Sequence, residues 1–428
     1  MDTQPVITVS SHSDKLPLEG LTVVDWTHVL SGPFTSYNLR LLGATVIRIE
    51  RVDGSDIIRT GTNDLVRAKL EMGDAYVMLS GGKESLAIDA RVPTGKAALL
   101  ELIGKADVLV ENFRPGKLRD LGFDPMYLIE RFPRLIVCSI SGFGQTGHMS
   151  QRPAYDHVIQ AASGMMSVNA DEDGKPQRVG VPLVDYATGM HAALGILAAL
   201  QRRTREEQKS IPQKRGEWLD VSLFNTALTL LAPAYSTYAV SGQERKATRA
   251  TAFSGNPLSG TFAGQDGVFA IVCNTEKQSK RFVDAVRTLG VDHSEVQRLG
   301  QAIEANDVEA VHKLLNVVFE RFPLTFLENA FVAVQVPFAK VRTPSEAYAS
   351  ESKNNTAWPA LTVPGLKGQT IQAPGIGFGS TRNLDAALTP PPLRGEHSRQ
   401  ILSRIGIPSE VIEQMCAQGV LLDTGRST

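Results

Sequence analysis

Three features are scarce in this chain of 428 residues, and each scarcity excludes a class of protein. Only three cysteines occur (Cys138, Cys273 and Cys416), without metal-ligand spacing, and their odd number argues against a disulfide framework. The formal net charge is −1, so no overall basic field points to nucleic acid or to an anionic membrane. Long apolar runs are also lacking, so neither a bilayer-spanning segment nor a secretory leader is predicted. We therefore expect a cytoplasmic protein, with Cys138 as a buried, inert thiol.

The first two hundred residues alternate between short apolar runs and segments with a helical pattern. The predicted strands are Leu21–Trp26, Thr45–Ile49, Leu86–Ile88, Asp107–Val110 and Leu135–Ile140. The predicted helices are Phe34–Leu42, Thr94–Lys105 and Pro125–Phe132. Short apolar strands between helices are typical of βαβ units in a parallel sheet with both faces covered. The pattern therefore predicts an α/β fold.

The second half of the chain has a more varied pattern. Its predicted elements are, in order, a long apolar helix (Tyr186–Arg203), an exposed charged loop (Thr204–Arg215), a strand that enters a helix stopping at Pro233 (Glu217–Ala232), a hairpin turning near Gln265-Asp266-Gly267, helices within Ser279–Phe331, and a short helix around Arg399–Ile405.

An acidic residue stands where an apolar run gives way to the long helix. The stretch RVGVPLVDYATGMHAALGILAAL places Asp185 at this point, with the small residues Ala187 and Gly189 behind it. One interpretation is an N-cap, because aspartate satisfies the free amides of a helix start. The other is a catalytic nucleophile, because a desolvated, oriented carboxylate forms covalent acyl intermediates. Residue type alone leaves both open.

The turn after the first predicted strand is the second candidate site. In DWTHVLSGPF, Ser31 and Gly32 open a helix whose N-terminus suits an anion or a developing oxyanion. His28 is able to donate a hydrogen bond to a ligand, and a structural histidine fits equally well. Arg51 follows the second strand, at the edge where doubly wound sheets bind ligands. The stretch lacks GxGxxG, which argues against a nicotinamide cofactor.

A third stretch, ENFRPGKLRDLGF, follows the fourth predicted strand. Asn112 offers hydrogen bonds and Phe113 an aromatic face, and three cations follow them, namely Arg114, Lys117 and Arg119. This combination suits a nucleotide with its phosphates. A polar loop with an ordinary share of charge is the alternative, and the residues alone do not separate the two.

Together these stretches resemble the family III CoA-transferases, also called the CaiB/BaiF or formyl-CoA transferase family. The resemblance extends from PLEGLTVVDWTHVLSGP through LGATVIRIERVDGSD and KESLAIDARVPTGKAALLELIGKADVLVENFRPG to PPLRGEHSRQILSRIG. It implies a Rossmann-like large domain and a smaller α+β domain in an intertwined homodimer. The expected boundaries are 1–225 for the large CoA-binding domain, 226–355 for a linker and the small domain, and 356–428 for a C-terminal segment that returns to the large domain.

The resemblance also implies roles for individual residues. The catalytic aspartate of the family corresponds to Asp185. Its CoA contacts correspond to Val29, Leu30, Arg51, Ile88, Arg91, Asn112 and Phe113. Because a cation of the family is Asp120 here, Arg119 or the neighbouring Lys117 is expected to take the phosphate contact instead. Around the acyl group we expect His28, Ser31, Gly32, Tyr155, Asp156 and, in the small domain, Gly255.

Two departures from the family bear on the reaction. Members that transfer formyl or oxalyl groups often carry Gln in place of Leu30 and a run of glycines where this chain has FSGNPLSG (Phe253–Gly260), which argues against those substrates. The related α-methylacyl-CoA racemases use the histidine of a Gly-His-Asp triplet, which is Ala154-Tyr155-Asp156 here. Tyrosine, with a pKa near 10, abstracts an α-proton poorly at neutral pH. CoA transfer is therefore favoured over racemisation, and a non-catalytic acyl-CoA-binding homologue is the third alternative.

The expected reaction moves CoA from an acyl-CoA, with succinyl-CoA as the candidate donor, to another carboxylic acid. Asp185 would form an acyl anhydride and then an aspartyl-CoA thioester. Every step exchanges similar acyl bonds, so no ATP, metal or permanently bound cofactor is expected. The expected partners are CoA esters, small carboxylic acids and a second copy of the chain, without nucleic acid or membrane.

Overall fold

The computed structural model describes residues 15–54, 56–171, 173–211, 216–244, 255–355, 358–364, 369–382 and 384–425. Within these ranges the chain forms two compact units. The first unit combines the residues up to Ser163, the segment Val179–Ala232 and the C-terminal part from Asn354 onward. The second unit combines Gly164–Arg178 with Pro233–Lys353.

Twelve strands occur in the described part of the chain. They are β1 (Thr22–Trp26), β2 (Thr45–Glu50), β3 (Glu84–Ile88), β4 (Val108–Glu111), β5 (Ile136–Ser141), β6 (Glu217–Ser222), β7 (Gly260–Gly264), β8 (Gly267–Ile271), β9 (Phe338–Lys340), β10 (Ala360–Thr362), β11 (Thr370–Gln372) and β12 (Leu421–Leu422).

Eighteen α-helices and one 3₁₀-helix (Ile57–Arg59) accompany these strands in the described ranges. The α-helices are α1 (Ser31–Leu41), α2 (Leu65–Lys69), α3 (Asp74–Ser80), α4 (Pro93–Lys105), α5 (Lys117–Asp120), α6 (Pro125–Arg131), α7 (Asp156–Ala162), α8 (Met165–Val168), α9 (Leu183–Gln208), α10 (Leu223–Leu230), α11 (Ala232–Ser241), α12 (Glu276–Thr288), α13 (His293–Glu304), α14 (Val308–Phe319), α15 (Leu324–Ala333), α16 (Pro344–Asn354), α17 (Ser398–Arg404) and α18 (Ser409–Ala417).

Seven strands of the first unit form one sheet in the order β12-β3-β2-β1-β4-β5-β6. Strands β1 to β6 run parallel, as predicted, and β12 joins β3 as an antiparallel edge strand. β1 lies between β2 and β4, so the winding of the chain reverses direction there. In doubly wound sheets the crevice outside the carboxyl ends of the strands at such a point binds the ligand.

The sheet forms because its strands are apolar on both faces, which suits a parallel sheet covered by helices. Val24 lies opposite Ile47 and Leu109, and all three belong to one buried cluster. The C-terminal helices α17 and α18 pack on the same core beside β12 and β3. Cys138 is buried in β5, as predicted, and burial raises the pKa of its thiol.

Two predicted boundaries in the first unit are wrong. Helix α9 extends the predicted Tyr186–Arg203 at both ends, so the exposed loop predicted over Thr204–Arg215 is helical up to Gln208. The sequence TREEQ consists mostly of good helix formers, which is why the helix continues. The last four residues of that predicted loop lie outside the described ranges. The helix predicted to stop at Pro233 ends earlier, and Pro233 lies in the first turn of α11, where a missing N–H is tolerated.

Helix α9 also corrects the expectation that no segment is long and apolar enough to cross a bilayer. Its 26 residues meet both conditions by length and composition. In the structure α9 packs against helices α1, α7 and α10 and strands β5 and β6. A core helix of a soluble protein meets the same two conditions, so this helix is weak evidence for a membrane span.

The second unit has a core of its own. Strands β7 and β8 form the predicted hairpin and pair antiparallel, with β9 on the other side of β8. Helices α12 to α15 occupy the region predicted to be helical. Phenylalanine rings dominate the packing, and Phe269, for example, lies 5.3 Å from Phe319 and 4.6 Å from Phe338 between ring centroids.

Candidate active site

Asp185 lies in the first turn of α9, and a different carboxylate caps that helix. Oδ2 of Asp156 accepts hydrogen bonds from the backbone N–H of Val184 (2.7 Å) and of Asp185 (3.1 Å). Pro182 occupies the N-cap position and makes no side-chain cap. The interpretation of Asp185 as an N-cap is therefore wrong, because Asp156 satisfies these amides and leaves the Asp185 carboxylate available.

The capping carboxylate is itself held in place. Asp156 is buried at the start of α7, and its Oδ1 accepts a hydrogen bond from Nε2 of Gln160 at 2.5 Å. Oε1 of Gln160 in turn accepts from the N–H of Val179 at 2.9 Å. This chain of hydrogen bonds fixes the segment that leads into α9, and with it the position of Asp185.

The surroundings of Asp185 raise the pKa of its carboxyl group to about 6. Burial is the largest cause, and the negative charge of Asp156 adds to it, while the nearby Ser31 side chain acts in the opposite direction. Desolvation disfavours the charged form of a carboxylate, which raises the pKa and also increases reactivity toward a carbonyl carbon. At neutral pH most of the Asp185 population is still ionised and able to act as a nucleophile.

A small residue in α9 lets α1 approach it closely, next to Asp185. A Cβ at Gly189 would lie 2.8 Å from the Phe34 ring and 2.9 Å from the carbonyl oxygen of Ser31. Oγ1 of Thr35 donates to the Gly189 carbonyl at 3.3 Å. The glycine that the sequence placed behind Asp185 therefore has a packing function: it permits this close contact between two helices.

A cavity of about 450 Å³ lies at the carboxyl edge of the sheet, where β1, β2, β3 and β4 end. It brings together five residues that the sequence predicted to bind the ligand, namely His28, Arg51, Ile88, Arg91 and Phe113. Lys117, Asp53 and Asp89 also line it. We call this space the edge cavity; it lies at the sheet edge where the topology predicts a ligand.

The two arginines of the edge cavity are exposed and held by neighbouring carboxylates. Arg51 donates to Asp53 through Nε at 2.8 Å, and Arg91 donates to Asp89 through Nε at 2.8 Å and Nη2 at 2.7 Å. The side chains of Arg51 and Arg91 are 51% and 66% exposed. Exposed ion pairs of this kind are weak, so both guanidinium groups are able to exchange their partners for a phosphate.

His28 forms part of the wall of the edge cavity. Its ring stands edge-on to Phe113 with 5.5 Å between centroids, and its Nδ1 lies 3.7 Å from Oδ2 of Asp56. Phe113 packs edge-on against Trp26 at 5.4 Å. The imidazole is therefore oriented by an aromatic ring and a carboxylate on the side of the cavity.

Several predicted residues do not line the edge cavity. Val29, Leu30 and Asn112 lie in the adjoining turns, and Asn112 bonds to the backbone of His28. Arg119 lines a separate cavity of about 140 Å³ together with Arg114, Glu111 and Trp218.

Tyr155 and Gly255 do not line the edge cavity either. Tyr155 precedes α7 and is 69% exposed. Gly255 belongs to the second unit and has a left-handed φ of 68°. Phe253, at the start of FSGNPLSG, lies outside the described residues.

A buried ion network beneath the turn was not predicted. Nζ of Lys83 donates to Oδ2 of Asp25 (3.0 Å), to Oγ of Ser36 (2.7 Å) and to the carbonyl of Pro33 (2.9 Å). Burial lowers the pKa of Lys83 to about 8. The network fixes the first turn of α1, and the sequence clue was a charged residue within the apolar strand TVVDW.

The buried carboxyl group of Glu111 was not predicted from the sequence either. Glu111, at the end of β4, accepts a hydrogen bond from the N–H of Phe113 at 2.9 Å. Burial raises the pKa of Glu111 to about 7, with the hydrogen bond from the N–H of Phe113 and the nearby Ser139 hydroxyl opposing the rise. Among the described residues no group of three or more His, Cys, Asp or Glu side chains is arranged to hold a metal ion.

Comparisons with known proteins identify close similarities over most of the chain. Residues 18–398 match the model of CoA-transferase family III. The succinyl-CoA:glutarate CoA-transferase of Mus musculus is 29% identical over 418 residues, which cover 95% of this chain and 90% of the relative. The acetyl-CoA:oxalate CoA-transferase of Acetobacter aceti is 37% identical over 279 residues, or 64% of this chain and 67% of the relative.

A solved structure shows the same fold. The crystal structure of a CaiB/BaiF family protein from Brucella suis superposes with a TM-score of 0.75 at 27% sequence identity. The match covers 92% of this chain and 100% of that one.

Proposed function

The chain belongs to CoA-transferase family III, and we propose that Asp185 is the nucleophile through which it transfers CoA from an acyl-CoA donor to a free carboxylic acid. The observation that carries this proposal is the environment of Asp185. Its carboxylate is desolvated and held in the first turn of α9. Because Asp156 caps that helix, the Asp185 carboxylate is not needed as a cap. A carboxylate in this state is suited to attack a thioester carbonyl.

The first half of the reaction transfers CoA to the enzyme. The Asp185 carboxylate attacks the thioester carbonyl carbon of the donor, the C–S bond breaks, and CoA leaves as its thiolate with an acyl–aspartyl anhydride remaining. The thiolate then attacks the aspartyl carbonyl carbon and breaks its bond to the bridging oxygen. The donor acid leaves as a carboxylate, and Asp185 becomes a thioester of CoA.

The second half reverses these steps with a different acid. The acceptor carboxylate attacks the aspartyl carbonyl of the thioester, thiolate leaves, and a new anhydride forms. The thiolate attacks the acyl carbon of the acceptor, which yields the product acyl-CoA and regenerates the Asp185 carboxylate. No proton is consumed overall. The enzyme must therefore supply donors for each oxyanion and exclude water from the anhydride.

Oxyanion donors are available in the first turn of α1. The backbone N–H groups of Ser31 and Gly32 belong to the first residues of that helix, which have no acceptor within it. The Ser31 side chain lies close enough to Asp185 to lower the pKa of its carboxyl group, so this turn is adjacent to the proposed nucleophile. Gly255 stays a proposed oxyanion donor, as the family resemblance implies, and Tyr155 with Asp156 is proposed to shape the acyl side of the pocket.

We place CoA in the edge cavity. Its exposed cations Arg51, Arg91 and Lys117 provide phosphate contacts, and Phe113 and His28 provide ring faces and edges. The structure brings Lys117 rather than Arg119 into this cavity, so we assign the phosphate contact to Lys117. His28 lies in the same wall, and we therefore assign it to CoA recognition rather than to the distal carboxylate of an acid.

Short dicarboxylic acids are the proposed acyl substrates, with succinyl-CoA as donor. The relative from Mus musculus, which spans nearly the whole chain, is named for succinyl-CoA and glutarate. The relative named for oxalate matches a shorter part of the chain, and Leu30 replaces the glutamine frequent in members that use oxalate or formate. The homodimer implied by the family and the cytoplasmic location expected from the composition remain predictions, and light scattering of the purified chain tests the first of them.

The test is mass spectrometry of CoA esters in deuterated buffer. The enzyme is mixed with succinyl-CoA, acetyl-CoA or a 2-methylacyl-CoA and with a panel of acids that includes glutarate and oxalate. New acyl-CoA species that form only when an acceptor acid is present would establish transfer and identify the substrate pair. Deuterium at the α-carbon of the branched ester without new CoA esters would show racemase chemistry instead.

A further inference from the structure

Val29 holds an unusual backbone conformation in the turn between β1 and α1. Its φ is +63°, in the left-handed region. Of the described non-glycine residues with positive φ, Val29 is the one with a β-branched side chain. Such a side chain makes this conformation costly, so the surrounding structure must impose it.

Asn112 provides two of the contacts that impose it. Its Oδ1 accepts a hydrogen bond from the N–H of His28, and its Nδ2 donates to the carbonyl of His28, both at 2.8 Å. The two residues follow neighbouring strands, since Trp26 of β1 lies opposite Glu111 of β4. The carboxamide therefore clamps the peptide groups on both sides of His28 at the point where the sheet changes its direction of winding.

The turn held in this way leads directly to the nucleophile. Leu30 follows Val29 and is the N-cap residue of α1, and Ser31 opens the helix with its side chain close enough to Asp185 to lower the pKa of that carboxyl group. A second contact supports the turn, because Oδ1 of Asp56 accepts from the N–H of Val29 at 3.4 Å. A change in the φ of Val29 would rotate the following residues and move the Ser31 hydroxyl away from Asp185.

We propose that Asn112 is a positioning residue that holds the strained turn at Val29, and through it the Ser31 hydroxyl at Asp185, rather than a direct CoA contact. This inference rests on the proposed role of Asp185 as nucleophile. It revises the role that the family resemblance implies for Asn112. The side-chain amide of Asn112 is directed at the backbone of His28, and Asn112 does not line the edge cavity.

The first test separates positioning from CoA binding. Asn112→Ala removes both hydrogen bonds to His28, so the turn relaxes and the near-attack geometry at Asp185 is lost. We expect kcat to fall by about 10- to 100-fold, while the affinity for free CoA, measured by calorimetry, stays within about threefold of wild type. The matched control is Asn38→Ala, which removes a 2.8 Å hydrogen bond to the Phe34 carbonyl further along α1 and is expected to leave kcat nearly unchanged.

The second test uses the strain itself. Glycine adopts a φ of +63° without a penalty, so a turn with Val29→Gly needs the clamp less. We therefore expect the loss of kcat caused by Asn112→Ala to be several-fold smaller in the Val29→Gly background than in the Val29 background. The urea midpoint of unfolding is measured for the same variants. Asn112→Ala should lower this midpoint more when residue 29 is valine than when it is glycine.

The outcomes decide between the alternatives. Weaker CoA binding with unchanged kcat in Asn112→Ala would overturn the proposal and make Asn112 a CoA contact. An equal loss in both backgrounds would also overturn it, because the turn at Val29 would not then be what Asn112 holds. If the wild-type enzyme transfers no CoA, the proposed function fails, and the urea cycle still tests whether Asn112 stabilises the strained turn.

Discussion

The backbone N–H of Asp185 donates a hydrogen bond to the carboxylate of Asp156 at 3.1 Å, so the group that caps α9 lies beside the carboxyl group proposed as the nucleophile. The arrangement has two effects. The hydrogen bond fixes the start of the helix, and the negative charge of Asp156 adds to burial in raising the pKa of Asp185 to about 6. The same side chain therefore positions Asp185 and adjusts its charge.

This relationship predicts the pH dependence of the reaction. Because the nucleophile must be ionised, kcat/KM should rise with pH through about 6 and then level off. Asp156→Asn removes one of the two causes of the raised pKa, so the acid limb should move to lower pH. The substrates are the same for both enzymes, and their own titration cancels in the comparison. The exposed Asp120→Asn is the control, and an acid limb that stays in place in Asp156→Asn would contradict the account.

The raised pKa also predicts a cost in stability. The pKa of Asp185 is 3.8 in its ordinary state and about 6 in the fold, so the folded chain binds this proton more tightly. Proton binding therefore stabilises the fold below about pH 4, and this stabilisation is lost as the pH rises through about 6. Above that pH the buried, ionised carboxylate of Asp185 lowers the free energy of unfolding. Asp185→Asn should therefore be more stable than wild type by about 1–2 kcal/mol at about pH 8, after allowance for partial solvent exposure.

Urea denaturation at two pH values measures this difference. The gain in the free energy of unfolding should disappear near pH 4, where wild-type Asp185 is protonated in the fold. A variant that is less stable than wild type by the same amount at both pH values would show that Asp185 has a structural role instead.

Two neighbouring cations provide a matched test of where CoA binds. Lys117 lines the edge cavity and Arg119 lines the separate smaller one, although both belong to α5 and both are exposed. Lys117→Ala should weaken the affinity for CoA by about 5- to 20-fold, since it removes one charge-assisted contact. Arg119→Ala should change it by less than about twofold. The reverse order in calorimetric titrations would place the phosphates in the smaller cavity.

The buried network beneath α1 predicts a strong effect of a remote lysine. Burial alone would raise the pKa of Asp25, but the charges of Lys83 and Arg48 hold it below its ordinary value. Lys83→Met leaves the Asp25 carboxylate without its nearest cation and should lower the free energy of unfolding by about 3–5 kcal/mol. Lys15→Met, at an exposed pair with Glu19, should change it by no more than about 0.5 kcal/mol. Similar losses in the two variants would show that the buried pair contributes little.

The sequence predicted the central sheet well for a physical reason. Parallel strands buried on both faces carry nearly continuous apolar runs, and β1 to β5 begin and end within two residues of their predicted limits. β12 is two residues long and owes its conformation to pairing with β3, which no local pattern shows. The 3₁₀-helix and helices α2 and α3 are short and partly polar, so their formation depends on packing rather than on periodicity.

The parts of the candidate site that the sequence did not predict depend on contacts between residues far apart in the chain. Asp185 and Ser31 were predicted from their places at helix starts. The capping of α9 by Asp156 joins residues 28 and 29 positions apart, and the clamp of Asn112 on His28 joins residues 84 positions apart. The choice between Lys117 and Arg119 depends on which side of a four-residue helix faces the edge cavity. Sequence spacing does not determine such pairings in this fold.

The central claim is that CoA passes through a covalent bond to Asp185. The most direct measurement is to incubate the enzyme with its acyl-CoA donor, add hydroxylamine, and identify the modified peptide by mass spectrometry. The account predicts a hydroxamate on Asp185 that forms only in the presence of the acyl-CoA, with Asp156 unmodified. Turnover without any modification of Asp185, or modification of a different carboxylate, would contradict it.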